Sequence, residues 1–246
     1  MKNIENRRLS VEIEVEHRKY NRDELKNLRK MVYNKFKDDI DYFRVLYDYS
    51  LYNGGMELTG NINHPKQWKP VIDFLHELKF IVNTRTGFHI HIDCSYITTL
   101  DQLKSIIINI AKIQESNNRN LNNNISAYHN MFPSSVLTRL IDTHSINEFI
   151  QIYIKDLRGG VKLRDMQKDL DMKGSEHNYW VDLTPLFRKL VNFNPEHSKY
   201  RRAIGSIEIR GKASNSTFGD EVIAYQKFIK KLSELIFLAK YILKDT

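Results

Sequence analysis

Three short stretches of this chain alternate apolar and ionisable residues without a break. Val11, Ile13 and Val15 alternate with Glu12, Glu14 and Glu16; Phe88, Ile90 and Ile92 alternate with His89, His91 and Asp93; Ile207 and Ile209 alternate with Glu208 and Arg210. Successive side chains of a strand point to opposite faces, so each stretch predicts a strand with one apolar and one ionisable face. Other stretches repeat every three to four residues and predict helices. Residues 23–36 carry the stripe Leu25, Leu28, Val32 and Phe36, and residues 65–78 carry Trp68, Val71, Ile72, Leu75 and Leu78 behind Pro65. Thr99 and Gln102 form a capping-box pattern ahead of Leu103, Ile106, Ile107, Ile110 and Ile113, and Ser145 with Glu148 opens a helix to about residue 154. A terminal helix is expected over 220–243, burying Val222, Ile223, Ile229, Leu232, Leu235, Ile236 and Leu243. Further strands are expected at 43–47, at 56–59 after Gly54 and Gly55, at 179–183 and at 201–211. Residues 117–124 are rich in Asn, which favours turns over helix interiors, and are expected to form a loop. Residues 155–175, with Gly159, Gly160, Gly174 and several Lys and Arg, read as a mobile basic loop of the kind that closes over sites.

Helices and strands do not alternate as βαβ units, and no Gly-rich phosphate loop occurs, which argues against Rossmann and P-loop folds. There is no repeat and no linker-like composition shift. The expectation is α+β: a single domain over 1–246, with a mainly antiparallel sheet and helices packed on one side.

Composition changes this picture in three ways. The 246 residues are 41% hydrophobic and 11% aromatic, enough for a real core. The single cysteine, Cys94, excludes an internal disulfide framework and reads as a small buried residue. No membrane-length apolar run and no signal-peptide core are seen, so a cytoplasmic protein without a membrane partner is expected, from an AT-rich bacterial or phage genome by its Lys, Asn, Ile and Tyr content. The net charge of +8 favours anionic partners. Its Lys and Arg are spread widely rather than interleaved with exposed aromatics, which weighs against nucleic acid.

Each alternating stretch, taken singly, is what any half-buried strand shows. Together they place carboxylate, imidazole and guanidinium on strand faces, and clustered carboxylates attract cations. Glu16 reads as a fourth acid or a surface charge at a strand end. Asp93 reads as a partner orienting a histidine or as a strand cap. Asp48 reads as a turn residue that could reach the site. Lys162, Arg164 and Lys168 are candidates for phosphate contacts from the basic loop. His17, His64, His76, His129, His144, His177 and His197 show no metal-ligand spacing.

Taken in order, Val11-Glu12-Ile13-Glu14, Asp48-Tyr49-Ser50-Leu51 with Gly55-Met56-Glu57-Leu58, Gly87-Phe88-His89-Ile90-His91 and Ile207-Glu208-Ile209-Arg210 resemble the amidoligase family, carboxylate–amine ligases with the glutamine synthetase fold. The resemblance runs from about residue 9 to about residue 240. Ser10 and Tyr49 stand where the family often has glycine. It implies ATP with Mg²⁺ or Mn²⁺ as cofactors, and amide or peptide bond formation from small-molecule or peptide amines and carboxylates through an acyl phosphate. It further implies a curved sheet, Glu12, Glu14, Glu57, His89 and Glu208 as metal ligands, and His91 and Arg210 as nucleotide contacts; Lys162 and Arg164 join these only from their place in the basic loop, where they contact phosphate or merely solvate the loop. Arg210, Glu208 and Glu57 would be the catalytic set. Read from the residues alone, a metal-dependent hydrolase using the same Glu and His side chains and a basic nucleic-acid-binding protein remain the alternatives. The sequence leaves the oligomeric state open.

Overall fold

The computed structural model describes residues 8–48, 51, 55–83, 85–120, 131–157, 179–192, 205–214, 220–244 and 246. Among these, the chain is mixed α/β, with seven α-helices and an open antiparallel sheet of eight strands. The strands are β1 (Leu9–Glu16), β2 (Arg44–Asp48), β3 (Gly55–Asn61), β4 (Ile81–Val82), β5 (Gly87–Asp93), β6 (Val181–Asp182), β7 (Ser206–Lys212) and β8 (Glu221–Val222). The helices are α1 (Arg22–Phe36), α2 (Lys69–Glu77), α3 (Leu100–Asn120), α4 (Ser134–Ile141), α5 (Ile146–Leu157), α6 (Thr184–Leu190) and α7 (Tyr225–Ile242). Strand order is β2-β3-β1-β5-β7-β6, with β4 beside β1 and β8 beside β4. Among the described residues two compact units are present: one lies within 8–91 and 210–236, the other within 92–209 and 237–246.

In the first unit, the apolar halves of the alternating strands form the floor of the core. Val11, Ile13, Val15, Met56, Leu58, Phe88 and Ile90 are all nearly or fully buried. Aromatic rings cover them: Phe228 of α7 stacks on Trp68 at 5.9 Å between centroids and meets Phe88 at 5.5 Å. The Trp68 indole N–H is not stranded by this burial, because it donates to the Asn61 carbonyl at 3.2 Å. Helix α1 starts at a capping box, with Asn21 accepting from the Glu24 amide and Glu24 accepting from the Asn21 amide. Pro65 does open a helix, but its first turn, Pro65–Trp68, is 3₁₀ before α2 begins.

The second unit is built on aromatic packing and one glutamine. Tyr153 and Phe187 meet edge-to-face at 4.8 Å, and the Tyr153 hydroxyl accepts the Leu183 amide at 3.1 Å. Gln114 of α3 accepts the Phe132 amide at 2.9 Å and the Trp180 indole N–H at 3.1 Å, and donates to the Phe132 carbonyl at 2.9 Å. The box predicted at Thr99 forms, with the Gln102 amide donating to the Thr99 hydroxyl and the Thr99 amide to the Gln102 side chain; at Ser145 only half of it forms, the Glu148 amide donating to the Ser145 hydroxyl while the Glu148 carboxylate accepts the His144 amide instead.

Several expectations are corrected. Helix α3 continues through Asn120, so 117–120 is helical rather than loop; each Asn costs only a fraction of a kcal/mol in a helix, and the buried Ile stripe behind it holds the helix together. Helix α5 extends to Leu157, past the expected end near 154. The chain at 220–224 is not helical: Glu221 and Val222 form β8 against β4, Val222 is exposed, and α7 starts only at Tyr225. The buried stripe of α7 is Phe228, Leu232, Leu235, Ala239 and Ile242, while Ile229 and Ile236 are half-buried. The strand expected at 179–183 pairs with β7 only over Val181–Asp182. Tyr49, Ser50, Gly54 and residues 158–175 of the basic loop, with Lys162, Arg164 and Lys168, lie outside the described residues.

Candidate metal centre

Register brings the acids of the first unit together. In the antiparallel pairing of β1 with β3, Glu14 lies opposite Glu57 and Glu12 opposite Thr59. In the pairing of β2 with β3, Leu46 lies opposite Glu57 and Asp48 opposite Gly55. Directly paired residues share a face, so Glu12, Glu14, Glu57 and Asp48 all project from the side opposite the apolar core. Strand β5 adds its imidazoles to the same side. His89 Nδ1 lies 3.1 Å from one Glu12 carboxylate oxygen and His91 Nε2 lies 3.5 Å from the other. The Gly87 amide donates to Glu14 at 2.6 Å.

The electrostatics are those of crowded acids. Burial pushes the Glu57 carboxyl up to about 8, and Glu12, Glu14 and Asp48 push in the same direction while His89 opposes them. The Glu14 carboxyl is also raised, first by burial; His89 and the Gly87 amide pull it back, and Asp48 and Glu12 add to the rise. Oxygen donors held this close, in partly buried surroundings and beside two imidazoles, are the donor set a Mg²⁺ or Mn²⁺ ion takes. Of these, Glu12 and His89 lie in contact at 3.1 Å, while Glu14 and Glu57 share their sheet face by register.

Arg210 also belongs to this side. A Cβ on its neighbour Gly211 would lie 3.2 Å from Leu235 of α7, so position 211 faces the core, and alternation sends Arg210 the other way. Glu208 stands two residues earlier on β7, 6% exposed and opposite Asp182 of β6, within the second unit.

Glu16 shares the parity of Glu12 and Glu14 yet is no surface charge. It is 1% exposed, accepts from the Asn83 amide group at 2.7 Å and pairs with Arg85 at 2.9 Å. Asp93 caps its strand, accepting the Ser95 amide at 2.9 Å. Cys94 is buried. Sequence reasoning undervalued Asp48; its signal was the alternation Arg44, Leu46, Asp48, in phase with Glu57.

No family model, curated protein or solved structure matches this chain.

Proposed function

We propose that this chain is an ATP-dependent carboxylate–amine ligase that forms an amide or peptide bond through an acyl phosphate. One observation carries the reading: Glu12, Glu14, Glu57 and Asp48 share one sheet face with His89 and His91, where burial first and the neighbouring acids second push the Glu57 carboxyl up to about 8. A divalent cation there would neutralise the acids and the phosphates of a nucleotide. Glu12, Glu14, Glu57 and His89 would hold it, with Glu208 added by the family resemblance, and His91 would contact the nucleotide.

Arg210 projects from the same side, and a guanidinium matches a transferring phosphoryl group with a planar fork of donors. In the first step the substrate carboxylate oxygen attacks the γ-phosphorus and ADP leaves. In the second the amine nitrogen attacks the acyl carbon and inorganic phosphate leaves. Nucleotide and substrates have to meet on the acid face, since the opposite face is filled by Phe88, Trp68 and Phe228.

The test is a trap for the activated acid. Hydroxylamine added with Mg²⁺, ATP and pooled carboxylates should give hydroxamate and ADP together, and only when all three are present. Metal-dependent cleavage of ester or phosphate substrates without ATP would overturn the reading in favour of a hydrolase.

A further inference from the structure

Over the whole chain Lys and Arg stand apart from exposed aromatic rings, and helix α1 is the exception. Its apolar stripe, Leu25, Val32 and Phe36, is buried in the core of the first unit. At 3.6 residues per turn, Lys26, Arg29, Lys30, Tyr33 and Lys37 fall on one arc of roughly 100° beside that stripe. Lys26, Lys30 and Lys37 are exposed, Arg29 is half-buried and Tyr33 is 42% exposed. Lys37 is the C-cap and keeps helical backbone angles, so it continues the row. None of Lys26, Arg29, Lys30 and Lys37 belongs to an ion pair among the described residues. The acids of this stretch stand at its ends, Asp23 and Glu24 in the first turn and Asp38 and Asp39 after Lys37. A helix face that serves only solvation gains from Glu and Lys spaced four residues apart, whereas Lys26 and Lys30 are like charges at that spacing and repel. An anion lying along the row removes that repulsion.

We infer that this face of α1 binds single-stranded nucleic acid, its cations along the phosphates and Tyr33 against a base. The row from Lys26 to Lys37 is about 16 Å long at 1.5 Å per residue, so it meets several consecutive phosphates rather than one. An exposed tyrosine set within such a row gives an unpaired base a ring to stack on, and positive charge with aromatic platforms is how proteins hold a single strand. A lipid surface suits the face less well. A helix that lies on a bilayer turns its apolar side outward, and that of α1 is turned into the core. The inference does not rest on the ligase reading.

Fluorescence anisotropy with a labelled oligothymidylate, read at several salt concentrations, tests it. The wild type should bind, with log K falling against log salt at a slope of about −2 to −3, as three or four phosphate contacts to a single strand give. Lys26→Gln, Lys30→Gln and Lys37→Gln together should weaken binding at least about tenfold and flatten the slope. Tyr33→Ala should weaken it at least about fivefold and leave the slope unchanged. Lys112→Gln, Lys230→Gln and Lys244→Gln together remove the same charge from other exposed positions and should leave binding at the wild-type value. A wild type that does not bind at low salt, equal losses from the two triple variants, or no loss in Tyr33→Ala would each overturn the inference. Vesicles rich in phosphatidylserine that bind through the same lysines more tightly than the oligonucleotide would also overturn it, in favour of a membrane. Should the triple variant of α1 fail to fold, photo-cross-linking of the wild type to a bromodeoxyuridine-substituted strand decides. The adduct is expected on the peptide that contains Tyr33, and adducts confined to other peptides would overturn the inference.

Discussion

A Cβ on Gly87 would lie 2.4 Å from Nε2 of His89 and 3.2 Å from the carboxyl carbon of Glu14. The two residues share a strand face two positions apart, and the imidazole lies back over the glycine. His89 is 3% exposed, so its ring has little room to move aside. The glycine is thus part of the site: its missing side chain is the space in which the ring sits, and its amide holds Glu14.

Gly87→Ala should therefore displace His89 and break its contact with Glu12. We expect a loss of about 1–3 kcal/mol in stability, the usual cost of overpacking a tight site. His89→Ala in the same background should recover part of that loss by reopening the space. Denaturant midpoints of the two variants check this; a Gly87→Ala protein as stable as the wild type would contradict it.

The metal-free protein should weaken as pH rises. The Glu57 pKa lies at about 8 in the fold against 4.5 ordinarily, so the folded chain holds a proton that the unfolded chain releases. That contribution to stability is complete below 4.5 and declines until about pH 8, where it is lost. Glu57→Gln should flatten this decline, and Mg²⁺ or Mn²⁺ should offset it most on the alkaline side. The measurement is the chemical-denaturation midpoint across that range in a chelator; a wild-type profile identical to that of Glu57→Gln would contradict the assignment.

Glu16 separates structure from chemistry. Removing its partner with Arg85→Met leaves a buried carboxylate short of a donor, a loss of about 1–3 kcal/mol. Asn83 still donates to it. Metal affinity should stay at the wild-type value, which calorimetry would report. A variant of normal stability with weakened metal binding would make Glu16 a ligand after all.

In the second unit, Gln114→Leu should cost about 2–4 kcal/mol, because it strands the Phe132 amide and carbonyl and the Trp180 indole N–H together. Thermal unfolding, read alongside Trp fluorescence, measures it. No loss would mean that these groups find other partners.

Much of this was legible in the chain because period-two alternation is a strong signal. The phase of Glu12, Glu14, His89 and His91 put them on the right face before any contact was known, and the boxes at Thr99 and Ser145 located helix starts. What escaped depends on residues far apart in sequence. Glu16 looks like its neighbours Glu12 and Glu14 until Asn83 and Arg85, on a turn nearly seventy residues on, close over it. Strand β8 is two residues long, and Val222 and Ile223 fit a helical stripe as well as a strand. The Asn run at 117–120 shows local preference overridden by packing of the helix that precedes it.

The central claim is that the carboxylate and imidazole face of β1, β3 and β5 binds a divalent cation and, through it, a nucleotide. Calorimetric titration of Mn²⁺, followed by a non-hydrolysable ATP analogue, into the wild type and Glu57→Gln measures this most directly. The account predicts saturable metal binding by the wild type, nucleotide binding that disappears in chelator, and a loss of at least about tenfold in metal affinity for Glu57→Gln. Nucleotide binding that is indifferent to metal, or metal binding that is unchanged by Glu57→Gln, would contradict it.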